Sequence, residues 1–290
     1  MALNKDFIGK SYSPTAEWNV EAEHTMAYAR ATNTDNPAYL DEKRPGGIIA
    51  PPIYAVVFQF PDVAQPLFDS DLRVNMMRLV HGEQDMTFLR PVRPGDVIKT
   101  TATVKAITDK TSGELLDIGL ESVNQKGEKV CDVVMGLFIK GRTGKRDAAQ
   151  KAEDDARKQE GPPPGEPLFV ASVDVAKDQS LRYADASGDH NPIHKDPEVA
   201  KAAGLPDIIL HGLCTMAFVQ NALVDKVAGG NPEKLKRIKA RFAKPVLNGE
   251  TLTIKAWKQE ESADKLTLVV EAYNSAGVTV IKDGLAELMR

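Results

Sequence analysis

The sequence is poor in cysteine: Cys131 and Cys214 are the only two in 290 residues, far apart and in apolar surroundings. That excludes the framework of a secreted disulfide scaffold and the close spacing of a zinc site, and it fits a reducing cytoplasm. No apolar run approaches the roughly 18 residues that a membrane span needs. The opening residues MALNKDFIGK have neither the apolar core of a signal peptide nor an Arg-rich transit pattern, and the closing AELMR is no peroxisomal address. Charge of one sign is lacking too. With 37 basic and 41 acidic residues the net charge is −4, and no basic stripe is interleaved with aromatics, so neither nucleic acid nor a membrane is an expected partner. What the chain does have is 42% hydrophobic residues, enough for a sizeable core.

From Gly141 to Pro167 large apolar residues nearly vanish, and a mixed-charge stretch ends in a proline-glycine cluster. It reads as an exposed linker over 141–167, between halves at 1–140 and 168–290. The halves resemble each other. YARATNTDNPAY (28–39) aligns without gaps on YADASGDHNPIH (183–194), FLRPVRPGD (88–96) on FAKPVLNGE (242–250), and SVNQKGEKV (122–130) on AYNSAGVTV (272–280). The chain is a duplicated domain.

The second copy is the easier to read. FVASVDV (169–175) alternates as a strand, and KDQSLRYADASG reads as a helix capped by Asp178 or a neighbour. LCTMAFVQNALVDKVAG is apolar around most of its circumference and stops at Gly229-Gly230, the pattern of a buried helix. Alternating runs joined by short turns follow, as in an antiparallel sheet, so the expected class is α+β. In the first copy, Pro51-Pro52 and Pro61 interrupt the corresponding helical segment, which is expected to be shorter or broken. A helix that simply starts at Pro51 is the alternative.

The stretch SGDHNPIH (187–194) concentrates polar chemistry. Asp, Asn, Gly and Pro are turn formers, and a helix end followed by an Asx-turn accounts for much of it. The comparison of halves separates turn from chemistry: Asn-Pro is common to both, whereas Asp189 faces Thr34 and His194 faces Tyr39. Asn191-Pro192 is therefore expected to be structural, and Asp189 and His194 are groups that the turn itself does not require.

Tyr183, Ser187-Gly188-Asp189, Asn191-Pro192-Ile193-His194 and Ala200 resemble the hydratase-2 motif of the MaoC-like enzymes, the (R)-specific enoyl-CoA hydratases of hot-dog fold. LHGLCTMAF (210–218) is similar to the family's start of the central helix, and LVHGEQDMTFLRPVRPGD (79–96) to the inactive N-terminal half of its two-domain members. The resemblance implies a double hot-dog, each half a long helix wrapped by an antiparallel sheet, with catalysis in the second half only. It also implies that a loosened first helix would make room for a bulky acyl chain.

By that resemblance Asp189 and His194 hold the water added across a 2-enoyl thioester, in a syn addition or its reverse. Asn191 braces the pair, and Gly212 offers a backbone N–H at a helix N-terminus to the thioester oxygen. The chemistry is acid-base throughout, so no metal and no cofactor is expected; coenzyme A carries the substrate. His211 is expected to orient the loop and border the substrate. His190 is expected to point away, and His24 and His81 to be structural, with His81 at most bordering the site. The basic residues Lys236, Arg237, Lys239, Arg241 and Lys244 read first as a charged strand face. The second reading lets Arg237, Arg241 and Lys244 meet the CoA phosphates. A homodimer is expected from the resemblance. The competing functions are a hydratase of branched, dicarboxylic or aromatic enoyl-CoA, an inactive thioester-binding subunit, and a hot-dog thioesterase.

Overall fold

The alternating runs pair into one antiparallel sheet, and the apolar helices lie against its inner face. The computed structural model describes residues 2–141 and 165–290, so the expected linker lies mostly outside the described residues. In the first half β1 (Ser11–Tyr12) and β2 (Trp18–Asn19) precede helix α1 (Ala22–Ala31), the single turn α2 (Pro37–Leu40) and the central helix α3 (Ala55–Phe68). Four long strands follow, β3 (Leu79–Phe88), β4 (Val97–Lys110), β5 (Gly113–Val123) and β6 (Lys129–Lys140). The second half repeats the plan with β7 (Phe169–Asp174), α4 (Gln179–Ser187), a short extra helix α5 (Pro197–Ala202) and the central helix α6 (Gly212–Lys226). Its strands are β8 (Leu235–Phe242), β9 (Thr251–Glu261), β10 (Lys265–Tyr273) and β11 (Thr279–Met289).

The sheet runs β1-β4-β5-β6-β3-β8-β11-β10-β9-β7, with β2 also paired to β4. The halves join where β3 pairs with β8, Glu83 opposite Arg241 and Thr87 opposite Arg237. Each half thus closes the other's sheet edge, which would otherwise present unpaired backbone groups. This is the α+β double hot-dog. Residues Cys214 to Val224 of α6 are all buried, as its apolar circumference requires. Among the described residues, no helix is long and apolar enough to cross a membrane. Both cysteines are free and buried.

The duplication is visible in side-chain detail. Asn124 Oδ1 accepts from the N–H groups of Lys126 and Glu128, and Asn274 Oδ1 from those of Ala276 and Val278, closing the same turn twice. Both turns then need a left-handed residue, met by Gly127 at φ 74° and Gly277 at φ 73°. Asn36 and Asn191 each cap a short turn that opens with proline. Tyr28 and Tyr183, the first residues of the aligned motif, meet at the interface of the halves with their hydroxyls 3.3 Å apart.

The expectation of a shortened or broken first helix is corrected. A 3-10 turn at Pro52–Tyr54 leads into α3, whose 14 residues nearly match the 15 of α6 despite Pro61 and Pro66 inside it. Tertiary anchors hold the segment helical against its local preference. Gln59 Nε2 donates to Ser122 Oγ at 3.0 Å, and buried Asp62 accepts from the Thr15 backbone N–H and hydroxyl at 2.7 and 2.9 Å. Val56, Val57 and Phe58 of α3 are buried in the core.

Candidate active site

The site begins where α4 ends. Gly188 adopts the left-handed conformation, φ 77° and ψ 0°, which a side chain would resist, and so turns the chain out of the helix. The Asp189 N–H then donates to Ser187 Oγ at 3.2 Å, and Asp189 Oδ1 accepts from the Asn191 N–H at 3.2 Å. Asn191 is extended, φ −54° and ψ 125°, as the following proline dictates, and its Oδ1 caps the Pro192–His194 turn through the Ile193 N–H. Asn191 thus braces one partner through its backbone and the other through its cap.

His194 Nδ1 lies 2.8 Å from the carbonyl oxygen of Ile209. A carbonyl only accepts, so Nδ1 carries the proton and Nε2 keeps a free lone pair. Burial pushes the His194 imidazole below its ordinary value, against the opposing pull of the Ile209 hydrogen bond and the Asp189 charge, which keeps it neutral at neutral pH. The Asp189 side chain is 29% exposed, so one member of the pair meets incoming solute while the other is enclosed.

His211 stacks on His194, ring centroids 3.7 Å apart, and also packs against Tyr183, ring centroids 4.8 Å apart. Its Nε2 donates to the backbone carbonyl of Asp189 at 2.9 Å, and its buried Nδ1 has no hydrogen-bond partner among the described residues. Burial, reinforced by the neighbouring His194, pushes its imidazole down as well. One polar atom from each of Asp189, His194 and His211 lies within 4.8 Å of the others. A water making two hydrogen bonds of ~2.8 Å at the tetrahedral angle spans about 4.6 Å, the scale within which the polar atoms of this cluster gather. These three residues are also the candidate ligand set for a metal, with His211 supplying the third group. Stacked imidazoles direct their in-plane lone pairs side by side, however, whereas ligands of one ion converge.

Gly212 opens α6 with its N–H unpaired among the described residues, at the positive end of the helix dipole. A Cβ there would lie 3.0 Å from the Phe242 ring, tight enough to force that ring to give way. Phe242 packs edge-on against His81, whose Nε2 is 2.9 Å from Gln84 Oε1 and whose imidazole burial lowers to about 4. His81 therefore borders the site through Phe242.

The expected phosphate-binding role of Arg237 and Arg241 meets a different arrangement. Both lie on the outer face of β8, opposite the face that carries Ile238, Ala240 and Phe242. Arg237 grips both oxygens of Asp85 at 2.8 and 2.7 Å and reaches Glu287, while Arg241 pairs with Asp283 at 3.2 Å and Glu83 at 3.8 Å. They tie the two halves together across the seam. Lys244 is exposed, has no ion pair among the described residues, and sits where the Leu210 N–H bonds the Val246 carbonyl beside the site. His190 points outward toward Lys195. The Ile209 carbonyl and the Phe242 ring escaped sequence reasoning. A carbonyl has no sequence signature, and Phe242 was visible only as a member of the repeat.

Residues 158–279 match the model of the MaoC like domain, and residues 6–133 match that of the FAS1-like dehydratase domain region. The chain is 31% identical to peroxisomal enoyl-CoA hydratase 2 of Arabidopsis thaliana, over 71% of this chain and 68% of that one. It is 30% identical to 3-hydroxyacyl-thioester dehydratase Y of Mycobacterium tuberculosis, over 98% and 97% of the two chains. It spans 33% of the length of the Drosophila melanogaster peroxisomal multifunctional enzyme type 2, to which it is 32% identical. A solved MaoC-like dehydratase from Phytophthora capsici superposes with a TM-score of 0.82 at 26% identity, covering 99% of this chain and 98% of that one. With two matching halves, a relative similar over nearly its whole length and the motif residues gathered at one site, the chain belongs to the MaoC-like dehydratase family.

Proposed function

We propose that this chain is a reversible hydro-lyase that adds water across the 2,3 double bond of a trans-2-enoyl-CoA to give the (R)-3-hydroxyacyl-CoA, and dehydrates the product in reverse. The observation that carries this reading is the gathering of polar atoms of Asp189, His194 and His211 within 4.8 Å of one another, beside a helix N-terminal N–H that is unpaired among the described residues. In the forward direction Asp189 and His194 Nε2 each accept a hydrogen bond from one water. The water oxygen bonds to C3, its proton passes to His194, and the charge that moves to the thioester oxygen is held by the Gly212 N–H. His194 then returns a proton to C2, so one water is added and the pair is restored. The carboxylate of Asp189 stabilises the transient imidazolium. Every step uses acid-base groups of the chain, with coenzyme A as the carrier of the substrate and Lys244 beside it for a phosphate.

The names of the Arabidopsis and mycobacterial relatives support the same reaction class. The test is loss of the conjugated enoyl-thioester absorbance of crotonyl-CoA and longer enoyl-CoAs on adding the protein, with chiral analysis of the product. Formation of the (R)-alcohol supports the proposal. Release of free CoA thiol without hydration would identify a thioesterase, and absence of turnover at every chain length would leave a thioester-binding protein.

A further inference from the structure

The first half, which lacks the catalytic pair, nevertheless reaches the helix end that precedes the catalytic loop. His24 on α1 lies with Nε2 3.1 Å from the backbone carbonyl of Ala186 and Nδ1 3.2 Å from the Tyr54 hydroxyl. Trp18 Nε1 lies 3.3 Å from the same hydroxyl. The donors can be assigned. The Ala186 carbonyl only accepts, so His24 Nε2 carries a proton; the Trp18 indole only donates, so the Tyr54 oxygen accepts from it and spends its own proton on His24 Nδ1. The chain of donation runs one way, from Trp18 through Tyr54 and His24 to Ala186. Burial pushes the Tyr54 phenol up to about 12, so it stays a donor through the neutral range. The rings hold the geometry: His24 lies 5.6 Å from Trp18 and meets Tyr54 edge-on at 5.7 Å.

Ala186 is a consequential place to hold. Its carbonyl belongs to the last turn of α4, where no intrahelical donor is available. The next residue, Ser187, accepts from the Asp189 N–H, and Gly188 makes the turn between them. Three residues earlier on the same helical face, Tyr183 touches Tyr28 of the first half and His211 of the site. The first half therefore grips α4 at both Tyr183 and Ala186.

We propose that His24 is a positioning residue: by donating to Ala186 it fixes the C-terminal end of α4, and with it the distance between Asp189 and His194 across the reacting water. The effect on turnover rests on the hydratase reading above; the effect on the loop does not. Two variants separate the hydrogen bond from the packing. H24F keeps a ring against Trp18 and Tyr54 but has no donor, while H24Q places an amide N–H where Nε2 stood.

The experiment measures kcat and KM for crotonyl-CoA together with amide hydrogen exchange over residues 187–191, in wild type and both variants. H24F is expected to lose about 10-fold in kcat, since a displaced catalytic group costs rate even when binding is kept. Its KM should stay within about 2-fold and its exchange over 187–191 should rise, with H24Q near wild type in all three readouts. Wild-type rates and exchange in H24F, or equal losses in H24F and H24Q, would overturn the proposal. Should wild type hydrate nothing, the hydratase reading falls and the exchange data alone decide whether His24 orders the loop.

Discussion

The two halves carry the same turn with different contents. In the second, Asp189 Oδ1 accepts from the Asn191 N–H at 3.2 Å; in the first, Thr34 Oγ1 accepts from the Asn36 N–H at 3.3 Å. Thr34 serves the turn as well as the aspartate does and brings no charge. At the place of His194 stands Tyr39, fully buried with a hydroxyl that has no hydrogen-bond partner among the described residues. Gly212 beside Phe242 is answered by Pro51-Pro52 beside Phe88, around a cavity of about 40 Å³. Proline has no N–H for an oxyanion. The turn is thus the fold's requirement, and the ionisable pair and the free N–H are the site's.

The largest test of this contrast copies the first half onto the second. Asp189→Thr keeps an acceptor for the Asn191 N–H, so the thermal midpoint should stay near that of wild type, while kcat for crotonyl-CoA should fall by 10²-fold or more, the scale of acid-base groups. Next comes Gly212→Ala, which presses on Phe242 and shifts the thioester contact. A loss of about 10-fold in kcat is expected, against less than about 2-fold for Pro52→Ala in the other half, both from initial rates.

Acid should act on the site before it acts elsewhere. His81, His194 and His211 are all held below the ordinary imidazole value by burial, with His81 at about 4. The unfolded chain then binds protons more readily than the folded one below about pH 6.5, so stability falls as pH drops from about 6.5 toward 4 and is insensitive to these groups above that range. Urea midpoints measured at steps between pH 7.5 and 4.5 check the slope. The smallest effect has the opposite sign: Tyr39→Phe removes a buried, unpaired hydroxyl and should raise stability by about 1 kcal/mol in urea unfolding, with unchanged turnover.

Much of this was legible in the sequence. Asn36-Pro37 and Asn191-Pro192 announced the duplication because capping needs those residue types, and Gly127 and Gly277 marked matched turns because only glycine enters that backbone region cheaply. Asp189 and His194 stood out by differing from their counterparts in the other copy. Side-chain direction and tertiary anchoring were not legible. The prolines of α3 read as breakers because Gln59 and Asp62 find their partners on distant segments. Arg237 and Arg241 read first as a charged strand face and second as phosphate contacts, and the sequence could not choose because Asp85 and Glu83, which neutralise them, lie in the other half. The His194–His211 stack and the reach of His24 to Ala186 join residues 17 and 162 positions apart, and no local pattern encodes such contacts.

The central claim is that two similar halves make one competent site. It is tested most directly by calorimetric titration of the full chain with butyryl-CoA, a saturated thioester that cannot be hydrated. One molecule bound per chain, with the heat abolished by Gly212→Trp in the second half and kept by Pro52→Trp in the first, is the predicted result. Two equivalent molecules per chain would contradict it.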